Sequence, residues 1–105
     1  MFALTVLYGR PKNVAEFEEY YGTIHKEKAG KFPHVRRKEL GRVVSEPKGS
    51  QPYHRSAVLL FDSREDAETA LDSPEGQAVL DDIENFSTGG SVVFLSEVNV
   101  IEIGR

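Results

Sequence analysis

The sequence predicts one α+β domain of βαββαβ order, built on a four-stranded antiparallel sheet. Three observations carry this. Four strand-like runs end in turn residues, two stretches between them repeat apolar residues at helical steps, and three of the strands are apolar on both faces. The chain has 105 residues, the size of one domain, and no internal repeat, linker or low-complexity segment divides it, so residues 1–105 are expected to form a single unit.

Phe2 to Tyr8 is an uninterrupted apolar run stopped by Gly9-Arg10-Pro11, which favours a buried strand. Phe2, Leu4, Val6 and Tyr8 face one way along it, and Ala3, Thr5 and Leu7 the other. Pro11 and Asn13 then open a helix, with Glu16, Glu18 and Glu19 near its positive end. Val14, Phe17, Tyr21, Ile24 and Lys28 recur at steps of three or four and form its inner face, with His25 and Tyr20 on the two edges. Lys26, Lys28 and Lys31 crowd its C-terminal end, and Gly30 and Pro33 stop it.

Val35 to Val44 alternates weakly and carries Arg36, Arg37, Lys38, Glu39 and Arg42, which predicts a more exposed strand. Glu46 to Pro52 is a turn cluster. Tyr53 to Phe61 is a second central strand, with Tyr53, Arg55, Ala57, Leu59 and Phe61 on one face and His54, Ser56, Val58 and Leu60 on the other. Ser63 with Asp66 resembles a capping box and opens a helix with Ala67, Ala70 and Leu71 inward. Ser73-Pro74-Glu75 restarts that helix, and Val79, Leu80 and Ile83 form the next inner stripe. Asn85 to Gly90 is a loop whose Gly89-Gly90 pair suits unusual backbone angles. Val92 to Ile103 is the last strand, long and β-branched. The order is that of the split, ferredoxin-like arrangement.

Composition excludes several function classes. Lysine plus arginine number 13 against 17 aspartate plus glutamate, a net charge of -4. This argues against a nucleic-acid partner, which needs a basic surface, and against an anionic membrane surface. No cysteine is present, so a disulfide scaffold, a thiolate nucleophile and a cysteine zinc site are all excluded. Met1 to Tyr8 lacks a basic start and a small-residue cleavage site, so it reads as a strand and not as a signal peptide. No run approaches the ~20 apolar residues that span a bilayer. The expected location is the cytoplasm, where a chain without cysteine fits a reducing interior.

Two helices cover only one face of a four-stranded sheet. Yet the first, third and fourth strands carry large apolar groups on both faces, as in Val58 beside Leu59 and Val93 beside Phe94. Leaving them in water forgoes ~1.5–3 kcal/mol per large side chain. It also leaves a larger apolar patch than monomers usually carry. A homodimer packed through the sheet face is therefore expected. The alternatives are cover by the loop before Tyr53 or a different partner.

Histidine is the side chain most readily poised near neutral pH. His25, on the edge of the first helix, is either a boundary residue with one hydrogen bond or the titratable group of a site. His54, on the third strand, is either a strand-end residue or a second such group, and His34 after Pro33 reads as surface. Tyr21 lies four residues before His25, so the two rings can stack on one face. Together they offer an apolar-walled site with a proton donor or acceptor, suited to enolisation, proton transfer or phenol binding. Asp81, Asp82 and Glu84 read as a solvated acidic helix face. No spacing supports a metal site from His25, His54 and a carboxylate. Gly89-Gly90 lacks the setting of a dinucleotide loop, Ser87 and Thr88 show no triad, and no cofactor is expected.

Several of these segments together resemble the EthD family, named for ethyl tert-butyl ether degradation. They are Leu4 to Pro11, Phe17-x-x-Tyr20-Tyr21-x-x-x-His25, Pro52-Tyr53-His54, Phe61-Asp62-Ser63, Ser73 to Gln77 and Asn85-Phe86. The resemblance implies a dimeric α+β barrel of two ferredoxin-like protomers. It also implies a cleft between sheet and helices holding His25, His54 and Tyr21, with Tyr8 and Phe86 joining them. His34 departs from the pattern, which leads one to expect a small turn residue there. Members are often labelled reductases, and the same barrel hosts cofactor-free monooxygenases, cyclases and lyases. The expected function is a cofactor-free enzyme, oxidoreductase, cyclase or lyase-like, acting on an apolar or aromatic metabolite, with His25 and His54 as acid–base groups. The alternatives are a non-catalytic metabolite-binding or accessory dimer and a structural dimer without a ligand.

Overall fold

The computed structural model describes residues 1–49 and 52–104; Ser50 and Gln51 of the predicted turn lie outside the described residues. Four strands, β1 (Phe2–Gly9), β2 (Arg37–Arg42), β3 (Tyr53–Phe61) and β4 (Ser91–Glu97), form one sheet in the order β2-β3-β1-β4. Every pairing is antiparallel, with Leu4 opposite Leu59 on one side and Leu95 on the other. The first crossover contains α1 (Val14–Tyr20), a π-turn (Tyr21–His25) and α2 (Lys26–Ala29). The second contains α3 (Arg64–Asp72), α4 (Pro74–Asp82) and a short 3-10 turn (Ile83–Asn85). This is the ferredoxin-like α+β fold the sequence predicts.

Local chemistry sets the helix starts. The side-chain oxygens of Asn13, Ser63 and Ser73 accept from the backbone N–H groups of Glu16, Asp66 and Gly76, each at 3.0 Å. Each bond satisfies one of the N–H groups a helix start leaves open. Leu4, Val6, Phe17, Leu59, Phe61, Ala67, Ala70, Val79 and Ile83 form the core between the sheet and the helices.

Three departures from the expected pattern have physical causes. β4 ends at Glu97, not Ile103, because Glu97 already sits opposite Phe2, the first residue of β1. Beyond Val98, whose N–H bonds Met1, the ladder has no partner left, and Val100, Ile101 and Ile103 stand in solvent. In the first crossover, Val14 and Ile24 are about half exposed, while His25 is buried at 5% exposure. The π-turn re-phases the face to Phe17, Tyr21, His25 and Ala29. Gly22 and Thr23 are weak helix formers there, and the Thr23 hydroxyl donates to the Glu19 carbonyl at 2.5 Å, competing with the backbone ladder. On β3 the register slips between Tyr8↔Arg55 and Gly9↔Tyr53, leaving His54 as the unpaired residue of a bulge. His54 therefore turns toward α1 instead of joining Ser56, Val58 and Leu60.

Among the described residues, no helix covers the outer face of the sheet. Leu7, Val58, Leu60, Val92 and Phe94 lie on it, Val92 and Phe94 more than 40% exposed. His34 takes φ 64°, the left-handed region, at the turn where a small residue was expected. Gly90, with φ 84°, bears out the reading of the Gly89-Gly90 loop.

Candidate functional site

Between α1–α2, α4 and the inner sheet face lies a cavity of about 290 Å³. That is at the small end of the range for ligand sites. Its floor is Leu4, Val6, Tyr8, Ala57 and Leu59, and its roof includes Tyr21, His25, Val79 and Ile83. The strand residues are there because alternation points them inward.

His25 is the polar centre of the roof. Its Nδ1 lies 2.9 Å from Asp82 Oδ2, and its Nε2 lies 3.4 Å from the Tyr8 hydroxyl. Its ring stacks on Tyr21 at 5.7 Å between centroids and meets Phe86 at 4.7 Å. Asp82 corrects the expectation of a solvated acidic face, since it is 1% exposed. Its Oδ1 accepts from the Tyr20 hydroxyl at 2.6 Å, Asn85 Nδ2 at 2.9 Å and Lys28 Nζ at 3.2 Å. The signal was present in the spacing: Asp82 follows Val79 by three, on the inward stripe that runs to Ile83. Asp81 and Glu84 are exposed as expected.

The electrostatics fix the protonation states. Burial would raise the Asp82 carboxyl, but hydrogen bonds from Tyr20, Asn85, His25 and Lys28 override it and hold the group well below the carboxylate range. An ionised Asp82 only accepts, so the His25 proton sits on Nδ1. Burial lowers the His25 pKa, against the opposing pull of Asp82. His25 is thus neutral at pH 7, with an unprotonated Nε2 that accepts from the Tyr8 hydroxyl. Burial, with Tyr21 and Asp82 nearby, pushes the Tyr8 phenol far up, so it stays protonated.

A second polar cluster lies on the other side of Tyr21. Glu18 accepts from His54 Nε2 at 3.0 Å and from both Nε and Nη2 of Arg55. The Arg55 bonds, then the His54 bond, outweigh desolvation and lower the Glu18 pKa to about 2. The Arg55 guanidinium stands 5.2 Å over the Tyr21 ring, a cation–π arrangement. Of the residues expected at the site, His25, Tyr8 and Tyr21 line the cavity. Phe86 packs behind His25 and Tyr8. His54 sits behind Phe17, edge-on at 5.0 Å, and has no direct contact with His25; rings of Phe17, Tyr21 and Phe86 stand between them. Among the described residues no group of three His, Asp or Glu is placed to hold a metal ion. No described helix is long and apolar enough to cross a membrane.

The protein is thus a four-stranded ferredoxin-like sheet with a His–Asp pair over an apolar cavity. The family model for the EthD domain matches residues 10–90, and the chain belongs to the EthD family. An uncharacterised 11.0 kDa protein from the thcB–thcC intergenic region of Rhodococcus erythropolis is 32% identical over 102 residues, covering 96% of this chain and 99% of that protein. Among solved structures, an EthD family protein from Bacillus halodurans is 25% identical with a TM-score of 0.87, over 94% of this chain and 99% of the other. SnoaB, a cofactor-independent oxygenase from Streptomyces nogalater, shares the fold at 15% identity and a TM-score of 0.64, over 95% and 94% of the two chains.

Proposed function

We propose that the chain is a cofactor-free enzyme that works on a small apolar or aromatic metabolite by acid–base chemistry. The observation that carries this reading is His25, held by Asp82 on Nδ1 with its Nε2 turned to the cavity and Tyr8. His25 takes a proton from a carbon or hydroxyl of the substrate through Nε2, and Asp82 stabilises the imidazolium that results. The Tyr8 hydroxyl donates to the oxygen on which negative charge develops. Tyr21 and the apolar floor hold the substrate. His54 acts at one remove, keeping Glu18 and Arg55 in place beside Tyr21. So sparse a site suits a substrate that stabilises its own carbanion, as in cyclisation and lyase steps. The fold shared with SnoaB supports adding cofactor-independent oxygenation to this range.

The test is turnover of a panel of phenolic and β-keto compounds by the wild type and by His25→Ala and His54→Ala. Loss of turnover in His25→Ala, with a smaller fall in His54→Ala, is the expected result. Unchanged turnover in both variants overturns the reading, and binding without turnover in the wild type replaces it with a metabolite-binding role.

The working unit in this reading is a homodimer packed through the outer sheet face. Support comes from the apolar surface of Leu7, Val58, Leu60, Val92 and Phe94, which no element of the chain covers among the described residues.

A further inference from the structure

The charged residues that line the cavity are Lys26, Lys38 and Arg55, and all are cations. This runs against the chain as a whole, whose net charge is -4. Arg55 is committed to Glu18. The ion pairs among the described residues leave Lys26 and Lys38 without a carboxylate. The two lysines also share one side of the cavity. Gly22, Lys26, Lys38 and Leu40 are its exposed lining residues, so it opens between the π-turn–α2 segment and the β2 edge. Lys38 bridges that opening, with Nζ donating to the Ala29 carbonyl at 3.1 Å. Its remaining donors stay free for a ligand.

An apolar chamber with a base at its inner wall and two unpaired cations at its mouth selects for an amphipathic molecule. We propose that the ligand is a small aromatic carboxylate whose anionic group is received by Lys26 and Lys38, with its ring system against Val6, Ala57, Leu59 and Val79. The anchored end at the mouth directs the far end of the ring system toward His25 and Tyr8. The inference rests on the reading of this cavity as the ligand site, and it names the substrate class.

The experiment compares 2-naphthoate with its neutral counterpart 2-naphthamide, by calorimetry and by chemical-shift perturbation, on the full-length protein. Naphthoate is expected to bind about tenfold more tightly, two partly solvated charge contacts supplying the difference. Its shifts should centre on Tyr8, Tyr21 and His25. The double variant Lys26→Gln/Lys38→Gln, with its fold checked by circular dichroism, should bind the two probes equally. Equal binding to the wild type overturns the carboxylate assignment and leaves the cavity reading standing. A preference that survives in the double variant overturns the role of the two lysines. Binding of neither probe overturns this inference and the cavity reading together.

Discussion

Asp82 Oδ2 holds His25 Nδ1 at 2.9 Å, tying the end of α4 to the π-turn of the first crossover. Two elements far apart in sequence are thus joined by one buried contact. The same carboxylate gathers Tyr20, Lys28 and Asn85 through its other oxygen. Removing it strands four donors, His25 Nδ1 among them.

Replacing Asp82 separates orientation from stability. Asp82→Ala should cost about 3 kcal/mol in urea denaturation, since buried partners are left unsatisfied. Asp82→Asn keeps the volume but loses the charge that fixes the His25 tautomer. It should cost less stability than Asp82→Ala, while kcat/KM falls at least about a hundredfold. Nitrogen NMR of the His25 ring checks the cause: Nδ1 should carry the proton in the wild type, and the populations should mix in the variant.

The pH profile of kcat/KM should be flat at neutral pH and fall on the acid side. The inflection belongs below the ordinary histidine value of 6.5, because burial lowers the His25 pKa. Tyr8, shifted upward by burial, should leave no alkaline limb near neutrality. An acid limb centred above 6.5 would show that another group supplies the base.

Stability should fall on acidification in two stages. His25 has a lowered folded pKa, so its contribution is present above 6.5 and is lost as the pH drops below that value. Glu18 is lowered from 4.5 to about 2, so its contribution is present above 4.5 and is lost through that lower window, together with that of Asp82. Thermal unfolding across this range checks the order. His25→Gln should remove the first stage only, and Glu18→Gln should shrink the second.

The outer sheet face can be tested alone. Phe94→Asp places a charge on the exposed apolar surface, and sedimentation should show a monomer where the wild type sediments as a dimer. Wild-type protein that is monomeric at the highest concentrations measured contradicts the sheet-to-sheet interface.

Much of the fold was legible because it rests on local rules. Asn13, Ser63 and Ser73 cap the helices they were expected to cap. Alternation along β1 put Tyr8 beside Leu4 and Val6 on the inner face, as read. The site was only half legible, because its polar half depends on long-range pairing. Asp82 lies in a run with Asp81 and Glu84; its spacing from Val79 puts it on the inward stripe, but only its partners across the molecule show that it is a buried carboxylate. Alternation grouped His54 with Ser56, Val58 and Leu60 because strict alternation does not register a bulge, while the family resemblance placed it in the cleft, where it stands behind Phe17 instead of on the cavity wall. Ile24 was expected inward because a helix of constant pitch does not register a π-turn. β4 was read too long because its β-branched residues continue past the point where β1 begins.

The π-turn also makes the cavity wall sensitive to the length of the chain. On a regular helix each residue advances the facing direction by about 100°. A π-turn holds one residue more than the α-turn it replaces, so deleting one residue between Tyr20 and Ile24 would let the ladder close at the α pitch and shift the residues of the turn against the cavity wall. The length of this crossover, and not only its composition, therefore sets which side chain reaches the cavity wall.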